Sequence, residues 1–146
     1  MICTLLHVDA LARRKATCQY IRRRLSWPGS DFYQKLGFWE RGFPPSSRDG
    51  HIAIVEDHGE VVGWARTEIW TDPADDTDWN TLEAFTAKDW RGRGIAALAG
   101  SALAAGPLLE VEELAVFRPT MMLLARRIDR HCVLFEYEDG RGWVRA

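Results

Sequence analysis

The most informative stretch of this sequence is Arg91-Gly92-Arg93-Gly94-Ile95-Ala96, which follows an extended apolar run and opens an alanine-rich one. Glycines at such a place let backbone N–H groups turn inward at the start of a helix, where the first four N–H groups have no partner within the helix. The helix dipole also favours an anion at this end. The segment therefore predicts a phosphate-binding loop.

Two other nucleotide motifs fit the loop less well. A Walker loop needs Lys-Ser or Lys-Thr after its glycines, and neither pair follows Gly94. A dinucleotide fingerprint matches the letters Gly92-x-Gly94-x-x-Ala97. That fingerprint belongs at the end of a first parallel strand and needs further βαβ units, whereas an antiparallel hairpin is predicted before this loop and little of the sequence follows it.

Hydrophobic periodicity and turn residues predict the elements around the loop. Asp9 is predicted to cap a first helix, which Pro28-Gly29 ends, and Pro44-Pro45 ends a second one. Asp57-His58-Gly59-Glu60 predicts a hairpin turn. The predicted strands are 2–8, 51–56, 61–70, 79–87, 112–117, 131–137 and 142–144, and the predicted helices are 9–27, 30–43, 94–105 and 120–128.

Together these features resemble the GNAT superfamily of N-acetyltransferases. Arg91-x-x-Gly94-x-Ala96 is similar to that family's R/Q-x-x-G-x-G/A loop, whose backbone amides hold the pyrophosphate of acetyl-coenzyme A. Residues 54–65 resemble its second and third strands with their turn. The resemblance implies a single α/β domain over residues 1–146. Its mixed, mostly antiparallel central sheet would be flanked by helices, in the order β-α-α-β-β-β-α-β-α-β-β.

The resemblance also implies where acetyl-coenzyme A would bind, and it implies no metal ion. Arg91 and Arg93 would pair with phosphate oxygens. The pyrophosphate would be held by the backbone amides of Gly92, Arg93, Gly94, Ile95, Ala96 and Ala97. In such proteins the fourth strand splays from the fifth, and the pantetheine arm would bond in the gap to backbone groups near Ala84, Phe85 and Thr86.

The chemistry requires a base, because an alkylammonium with a pKa of about 10 must lose its proton before it attacks a thioester. Glu83 is the first candidate for this base, and Asp78, at the entrance to the same predicted strand, is the second. Ala125 stands where many relatives carry a tyrosine that protonates the leaving thiolate. Tyr137, in the last predicted strands, is an alternative acid, and water is another because the coenzyme A thiol is acidic enough to leave with the help of water.

Composition restricts the classes of protein to which this sequence can belong. It has 146 residues, a formal net charge of -2, 47% apolar residues and three cysteines. Such a chain can form one hydrophobic core and is unlike a disordered segment. No apolar run is long enough to cross a bilayer, the start does not resemble a signal peptide, and the cysteines favour neither disulfides nor a zinc site. We therefore expect a cytoplasmic protein with no membrane partner and no metal.

From these observations we expect an N-acetyltransferase that transfers an acetyl group from acetyl-coenzyme A to an amine by direct attack. The acidic loop 72–78 favours a cationic small molecule or a peptide as acceptor, whereas Arg13, Arg14 and Arg22–Arg24 on the first helix favour a nucleic acid. The rival is a module that binds coenzyme A or another partner without catalysis. The sequence does not identify the acyl group. It also leaves the oligomeric state open, with a homodimer as one alternative.

Overall fold

The computed structural model describes residues 1–128, 132–138 and 140–146. Its strands are β1 (Ile2–His7), β2 (His51–Asp57), β3 (Glu60–Thr67), β4 (Ile69–Thr71), β5 (Asp78–Thr81), β6 (Glu83–Thr86), β7 (Glu113–Val116), β8 (Val133–Glu138) and β9 (Gly142–Arg145). Its α-helices are α1 (Val8–Arg13), α2 (Lys15–Arg24), α3 (Asp31–Glu40), α4 (Ile95–Ala104) and α5 (Pro119–Ile128). Within the described residues, no helix is long and apolar enough to cross a membrane.

The strands form two sheets, and the chain passes between them at Glu68, at Leu82 and again after β6. The first sheet has the order β1-β2-β3-β6 and is antiparallel throughout. The second has the order β4-β5-β7-β8-β9, with β7 parallel to both β5 and β8. Only Leu82 separates β5 from β6, so the chain leaves the second sheet and enters the first at this residue. Strand β6 is therefore the edge of the first sheet and does not pair with β7.

Strand β2 is buried on both faces because helices cover both sides of the first sheet. Ile52 and Ile54 belong to a core formed with α1, α2 and α3, whereas Ala53 and Val55 belong to a core formed with α4 and α5. Successive side chains of a strand point to opposite faces, so this strand supplies both cores. The first sheet thus separates the N-terminal helices from α4 and the loop that precedes it.

The predicted α/β class is confirmed, but three predicted elements are each divided in two. The helix predicted to start after Asp9 begins at Val8, is capped by the His7 ring, and breaks at Arg14 into α1 and α2. The strand predicted over 61–70 breaks at Glu68, and the strand predicted over 79–87 breaks at Leu82. The single central sheet that was predicted is therefore divided as well. The observed order is β-α-α-α-β-β-β-β-β-α-β-α-β-β.

Hydrogen bonds connect the residues on either side of the breaks. At the helix break, the Cys18 thiol donates to the Leu11 carbonyl oxygen over 3.2 Å, and both side chains are fully buried. At the strand breaks, the Glu68 carbonyl oxygen accepts from the Thr81 N–H at 3.0 Å, which ties the two bends together. The strand predicted over 131–137 starts outside the described residues, and its described part belongs to β8.

Candidate active site

The loop predicted to bind phosphate is open at the start of α4. Gly92 and Gly94 have φ angles of 77° and 79°, in the left-handed region that glycine adopts without strain. A Cβ at either position would meet no heavy atom within 4 Å. Gly94 is the N-cap residue and supplies no capping side chain, and Leu98 donates the first backbone bond to its carbonyl oxygen. The N–H groups of Ile95–Ala97 therefore lack partners within the helix.

A cavity of about 540 Å³ lies at this loop, and we call it the loop cavity. Its lining includes three arginines and no acidic residue. Arg91 donates from Nε to the Thr86 carbonyl oxygen at 3.2 Å, and the Arg93 guanidinium lies 4.8 Å from the centre of the Trp90 ring. Arg127 lines the cavity from α5, and no sequence motif indicated it. With the helix dipole, these side chains make the cavity positive.

Strand β6 has no neighbouring described strand along its outer edge, since β7 belongs to the other sheet, although the Thr86 carbonyl oxygen accepts from Arg91 Nε. The Ala87 N–H donates to the Val62 carbonyl oxygen at 2.8 Å, and hydrogen-bonded pairs alternate along antiparallel strands. Phe85 therefore turns its backbone groups toward β3, whereas Ala84 and Thr86 turn theirs outward. Ala84, Phe85 and Thr86 were predicted to contact the pantetheine arm. Of these, Ala84 and Thr86 have backbone groups that face the gap between β6 and β7.

A second cavity, also of about 540 Å³, lies at the other end of β6, and we call it the Glu83 cavity. Residues from α3, β3, β4 and α5 complete its lining. Glu83 and Met121 line this cavity, while Thr86 and Leu124 line the loop cavity, so the two border the same strand and the same helix. Three residues of a strand span about 10 Å, which one extended molecule can bridge.

The Glu83 carboxylate is held by a buried arginine. Arg66 and Glu83 are directly opposite on β3 and β6, with 3.1 Å between Arg66 Nε and Glu83 Oε2. Arg66 is 2% exposed, its Nη2 lies 2.9 Å from Glu68 Oε1, and its guanidinium lies 4.3 Å from the centre of the Phe32 ring. Sequence reasoning missed Arg66, although a charged residue among the apolar residues of a buried strand was a signal that could have indicated it.

Lys35 extends the same network from α3. Its Nζ lies 2.6 Å from Asp49 Oδ1, 2.8 Å from Glu68 Oε2 and 3.2 Å from Asp31 Oδ2. Burial lowers the pKa of Lys35, but hydrogen bonds to Asp49 and Glu68 raise it by more, so the pKa lies above its usual value. Lys35 is therefore charged at neutral pH and contacts three carboxylates, of which those of Asp31 and Glu68 line the Glu83 cavity.

The other predicted catalytic residues line neither cavity. Asp78 on β5 pairs with Arg48 at 2.6 Å, and hydrogen bonds from Arg48 and Thr71 hold the pKa of Asp78 below its usual value. Tyr137 on β8 is 56% exposed and packs edge-on against Trp143, with ring centres 5.6 Å apart. Among the described residues, no three His, Cys, Asp or Glu side chains are grouped as metal ligands would be.

The arginine-rich N-terminal segment is partly engaged within the fold. Arg22 donates from Nε to the Tyr33 carbonyl oxygen at 3.3 Å, and the Arg24 guanidinium lies 5.4 Å from the centre of the Tyr20 ring. Its other arginines are exposed at the surface, namely Arg13, Arg14 and Arg23. Only part of the predicted basic surface is therefore free for an external anion.

Sequence comparison and structural comparison give different results. No protein-family model and no curated protein matches the sequence. A solved structure of a ribosomal-protein-alanine N-acetyltransferase from Brucella melitensis biovar Abortus 2308 does match, at 18% identity and a TM-score of 0.51, covering 99% of this chain and 98% of that chain.

Two solved structures of aminoglycoside N-acetyltransferases also match this chain. The 6'-N-acetyltransferase from Acinetobacter haemolyticus is 12% identical with a TM-score of 0.54, over 90% of this chain and 91% of that chain. Another, solved in complex with CoA, is 15% identical with a TM-score of 0.53, over 89% of this chain and 91% of that chain. At these identities the likeness establishes the fold, and it confirms the fold expected from the loop and its surroundings.

Proposed function

We propose that this chain, which has the GNAT fold, is an N-acetyltransferase that uses acetyl-coenzyme A. The proposal rests mainly on one observation, that the loop cavity and the Glu83 cavity lie along the same unpaired strand edge. The first cavity is positive and suits phosphate groups. The second contains a carboxylate with one oxygen free to accept a proton. The similar structures described above support the proposal, because each is named an N-acetyltransferase.

The residues of the loop cavity fit the phosphates of coenzyme A. Backbone amides of Gly92–Ala97 would bind the pyrophosphate, and Arg91 and Arg93 would pair with its oxygens. The outward backbone groups of Ala84 and the outward N–H of Thr86 would bond the pantetheine arm in the manner of an added strand. Acetyl-coenzyme A would supply the acetyl group as a thioester, whose carbonyl would then lie between the two cavities.

We assign removal of the acceptor's proton to Glu83. An ammonium acceptor would give a proton to the Glu83 carboxylate, directly or through one water molecule, and the amine nitrogen would attack the thioester carbonyl carbon. The C–N bond forms, the C–S bond breaks, and the electron pair leaves on sulfur, which takes up a proton to become the thiol. Since Arg66 occupies Oε2 of Glu83, the proton would go to Oε1. An outward amide of β6 would stabilise the negative charge on the carbonyl oxygen.

The second candidate function is that of a module that binds coenzyme A without catalysis. Ala125 favours it, because this residue is fully buried on α5 and has no proton to give at the place where the GNAT resemblance implies an acid. In the catalytic proposal, water protonates the thiolate instead, since a thiol has a pKa of only about 8.5.

Calorimetric titration of acetyl-coenzyme A into the protein and into Gly94→Asp tests the proposal. The substitution puts a side chain and a negative charge into the loop. Gly59→Asp is a matched control, because Gly59 lies in the β2–β3 turn with φ 80° against 79° at Gly94, and neither has an atom within 4 Å of a Cβ. We expect micromolar binding by the unmodified protein and the control, and about a hundredfold weaker binding by Gly94→Asp, from the loss of charge-assisted hydrogen bonds.

Absence of binding by folded, coenzyme-free protein would refute both candidate functions. Release of free thiol in the presence of a panel of primary amines then separates the two. Turnover with any of these amines supports the enzyme, whereas tight binding without turnover across the panel supports the binding module.

A further inference from the structure

The charged side chains that line the Glu83 cavity balance one another. Three are carboxylates and three are cations, namely Asp31, Glu68 and Glu83 against Lys35, Arg66 and Arg118. A lining without net charge favours neither a cation nor an anion as such. It suits a ligand that carries both charges, each at a position where the lining has an unpaired group of opposite sign. The positions of the unpaired groups therefore decide what the cavity can bind.

Arg118 is the cation of this lining that no carboxylate neutralises. Lys35 and Arg66 each contact two of the three carboxylates, whereas Arg118 has no acidic partner among the described residues. The Arg118 guanidinium lies over the Trp27 ring, 4.3 Å from its centre, and this contact uses none of its N–H donors. A guanidinium can bind a carboxylate through two parallel hydrogen bonds. Arg118 thus offers the cavity one position for a carboxylate of a ligand.

Glu83 offers the opposite position in the same cavity. Its Oε2 accepts from Arg66 Nε, and the part of the chain that the structure describes provides no hydrogen-bond or ion-pair partner for Oε1. Under the proposed function, this oxygen takes the proton of the acceptor's ammonium group. The cavity therefore has one free position for an ammonium group and another for a carboxylate.

The buried Arg66 side chain also favours a ligand that brings oxygen atoms. Arg66 lines the cavity and is 2% exposed, and its Nη1 has no hydrogen-bond partner among the described residues. A buried donor without a partner is unfavourable, and only an acceptor atom relieves it. Nη1 and the Nε that holds Glu83 belong to one planar group. An oxygen near Nη1 would therefore lie close to an amine at Glu83, which suits an amine and a carboxylate on the same carbon atom.

The uncharged part of the lining is largely apolar. Four of its six residues are apolar, namely Trp70, Leu82, Phe117 and Met121. The rings of Trp70 and Phe117 are edge to face, with 5.1 Å between their centres. An apolar group of a ligand that packs against these side chains is removed from water, which favours binding.

We propose that the acceptor is an α-amino acid with an apolar side chain. Its amino group lies against Glu83 Oε1, its carboxylate pairs with Arg118, and its side chain packs against Trp70 and Phe117. The product is the N-acetyl amino acid, formed by the same attack on the thioester. This inference rests on the proposed function and names the class of acceptor for the same site.

Three acceptors with the same apolar chain test the inference: L-leucine, L-leucinamide and 3-methylbutylamine. Beside the reacting amine they carry a carboxylate, a neutral amide and no further polar group. We expect kcat/KM, measured by release of free thiol from acetyl-coenzyme A, to be about tenfold higher for leucine than for the other two. Glycine, which lacks the apolar side chain, should be at least about tenfold poorer than leucine.

The variant Arg118→Gln locates the carboxylate, and it also removes the effect of the different basicities of the three amines. Each amine is compared with itself in the two proteins, so its intrinsic reactivity cancels. The preference for leucine over 3-methylbutylamine should fall about three- to tenfold, and Arg118→Lys should retain part of it. Arg126→Gln is the matched control, because Arg126 is exposed on α5 and lines neither cavity. This control should keep the full preference.

Two results would overturn the inference and leave the proposed function standing. One is a kcat/KM for the amide or the amine that equals or exceeds that for leucine, and the other is an equal preference in Arg118→Gln and Arg126→Gln. Equal kcat/KM for glycine and leucine would overturn the apolar side chain.

If acetyl-coenzyme A binds but none of these amines is acetylated, calorimetric affinity of each for the CoA-saturated protein gives the same comparison. No binding of leucine to that complex would overturn the inference as well. Failure of acetyl-coenzyme A to bind would instead remove the proposed function itself, so the two levels of proposal fail in distinguishable ways.

Discussion

A single cross-strand pair determines which oxygen of Glu83 is available. Arg66 lies opposite Glu83, is 2% exposed, and donates from Nε to Oε2 at 3.1 Å. Separating a buried charge from its partner is costly, so the carboxylate keeps one orientation and Oε1 is left for the acceptor. Arg66 is in this respect a positioning residue, and Glu83 is the residue that would touch the reacting nitrogen.

Glu83→Gln should slow acetyl transfer without weakening coenzyme binding. The amide keeps the size of the carboxylate and can still accept from Arg66, but it cannot take the proton of the acceptor. We expect kcat to fall about a hundredfold, the lower limit for loss of a general base, with the acetyl-coenzyme A affinity unchanged. Steady-state kinetics and calorimetry on the same preparation check both halves of this prediction.

The sequence offered Asp78 as a second candidate for the base, and Asp78→Asn is therefore the comparison variant. Asp78 pairs with Arg48 and lines neither cavity, so its loss should leave the rate nearly unchanged. If Asp78→Asn slows the reaction and Glu83→Gln does not, the assignment of the base is wrong.

At the scale of elements, close packing of α4 and α5 assembles the loop cavity. A Cβ at Gly100 would lie 2.9 Å from Ile128 Cδ1, so glycine lets the two helices approach. This approach brings Arg127 to the cavity that already contains Arg91 and Arg93. The positive charge of the site therefore comes from the loop before α4 and from α5, which are distant in the sequence.

Arg127→Ala should weaken coenzyme A binding, and Arg126→Ala should not. Both arginines are exposed on the last turn of α5, but only Arg127 lines the loop cavity. Loss of one exposed guanidinium–phosphate contact predicts about a three- to tenfold rise in Kd, and a smaller dependence of Kd on salt concentration. Calorimetry at two salt concentrations measures both effects. Equal Kd values for the two variants would contradict the placement of Arg127 at a phosphate.

The first turn of α4 is also held by contact with the first sheet. A Cβ at Gly63 on β3 would lie 2.6 Å from Ile95 Cγ2 and 3.0 Å from the Phe85 carbonyl oxygen. Ile95 is β-branched and has little freedom to move aside. Because Gly63 has no side chain, the start of α4, with its free N–H groups, can lie against β3.

Gly63→Ala should destabilise the protein by about 1–3 kcal/mol, the range for overpacking a core, and also weaken coenzyme binding by displacing Ile95. Urea denaturation measures the first effect and calorimetry the second. Gly37→Ala is the control, since the nearest atom to its Cβ, 3.0 Å away, belongs to the flexible end of Arg22. That change sits within α3 and should be neutral or slightly stabilising. Equal stability of the two variants would contradict the close contact at Gly63.

For the molecule as a whole, the division into two sheets creates the site. The chain changes sheets at Leu82, so β5 pairs with β7 while β6 pairs with β3. This leaves an unpaired edge at β6, with one cavity at each end. A continuous sheet would pair that edge and close the gap. Under the proposed function, a ligand that bonds to this edge would reach both cavities.

Much of the fold follows from local sequence signals. The glycines of the phosphate loop, the Asp57–Glu60 turn and the alanine-rich run after Gly94 each specify their conformation within a few residues, and the structure has them as predicted. The breaks at Arg14, Glu68 and Leu82 were not predicted, because no turn residue or change of hydrophobic period marks them, and the hydrogen bond that joins the last two is formed between separate strands.

The sequence by itself determined the glycine loop before α4, the hairpin and the placement of Glu83 on a strand, because short-range backbone preferences and side-chain periodicity govern these features. Only the tertiary structure decided that Arg66 holds Glu83, that Arg127 joins the loop cavity, and that Asp78 pairs with Arg48 instead of lining a cavity. These are long-range contacts between charged side chains. Their partners are selected by how the sheets and helices pack, which no local pattern specifies.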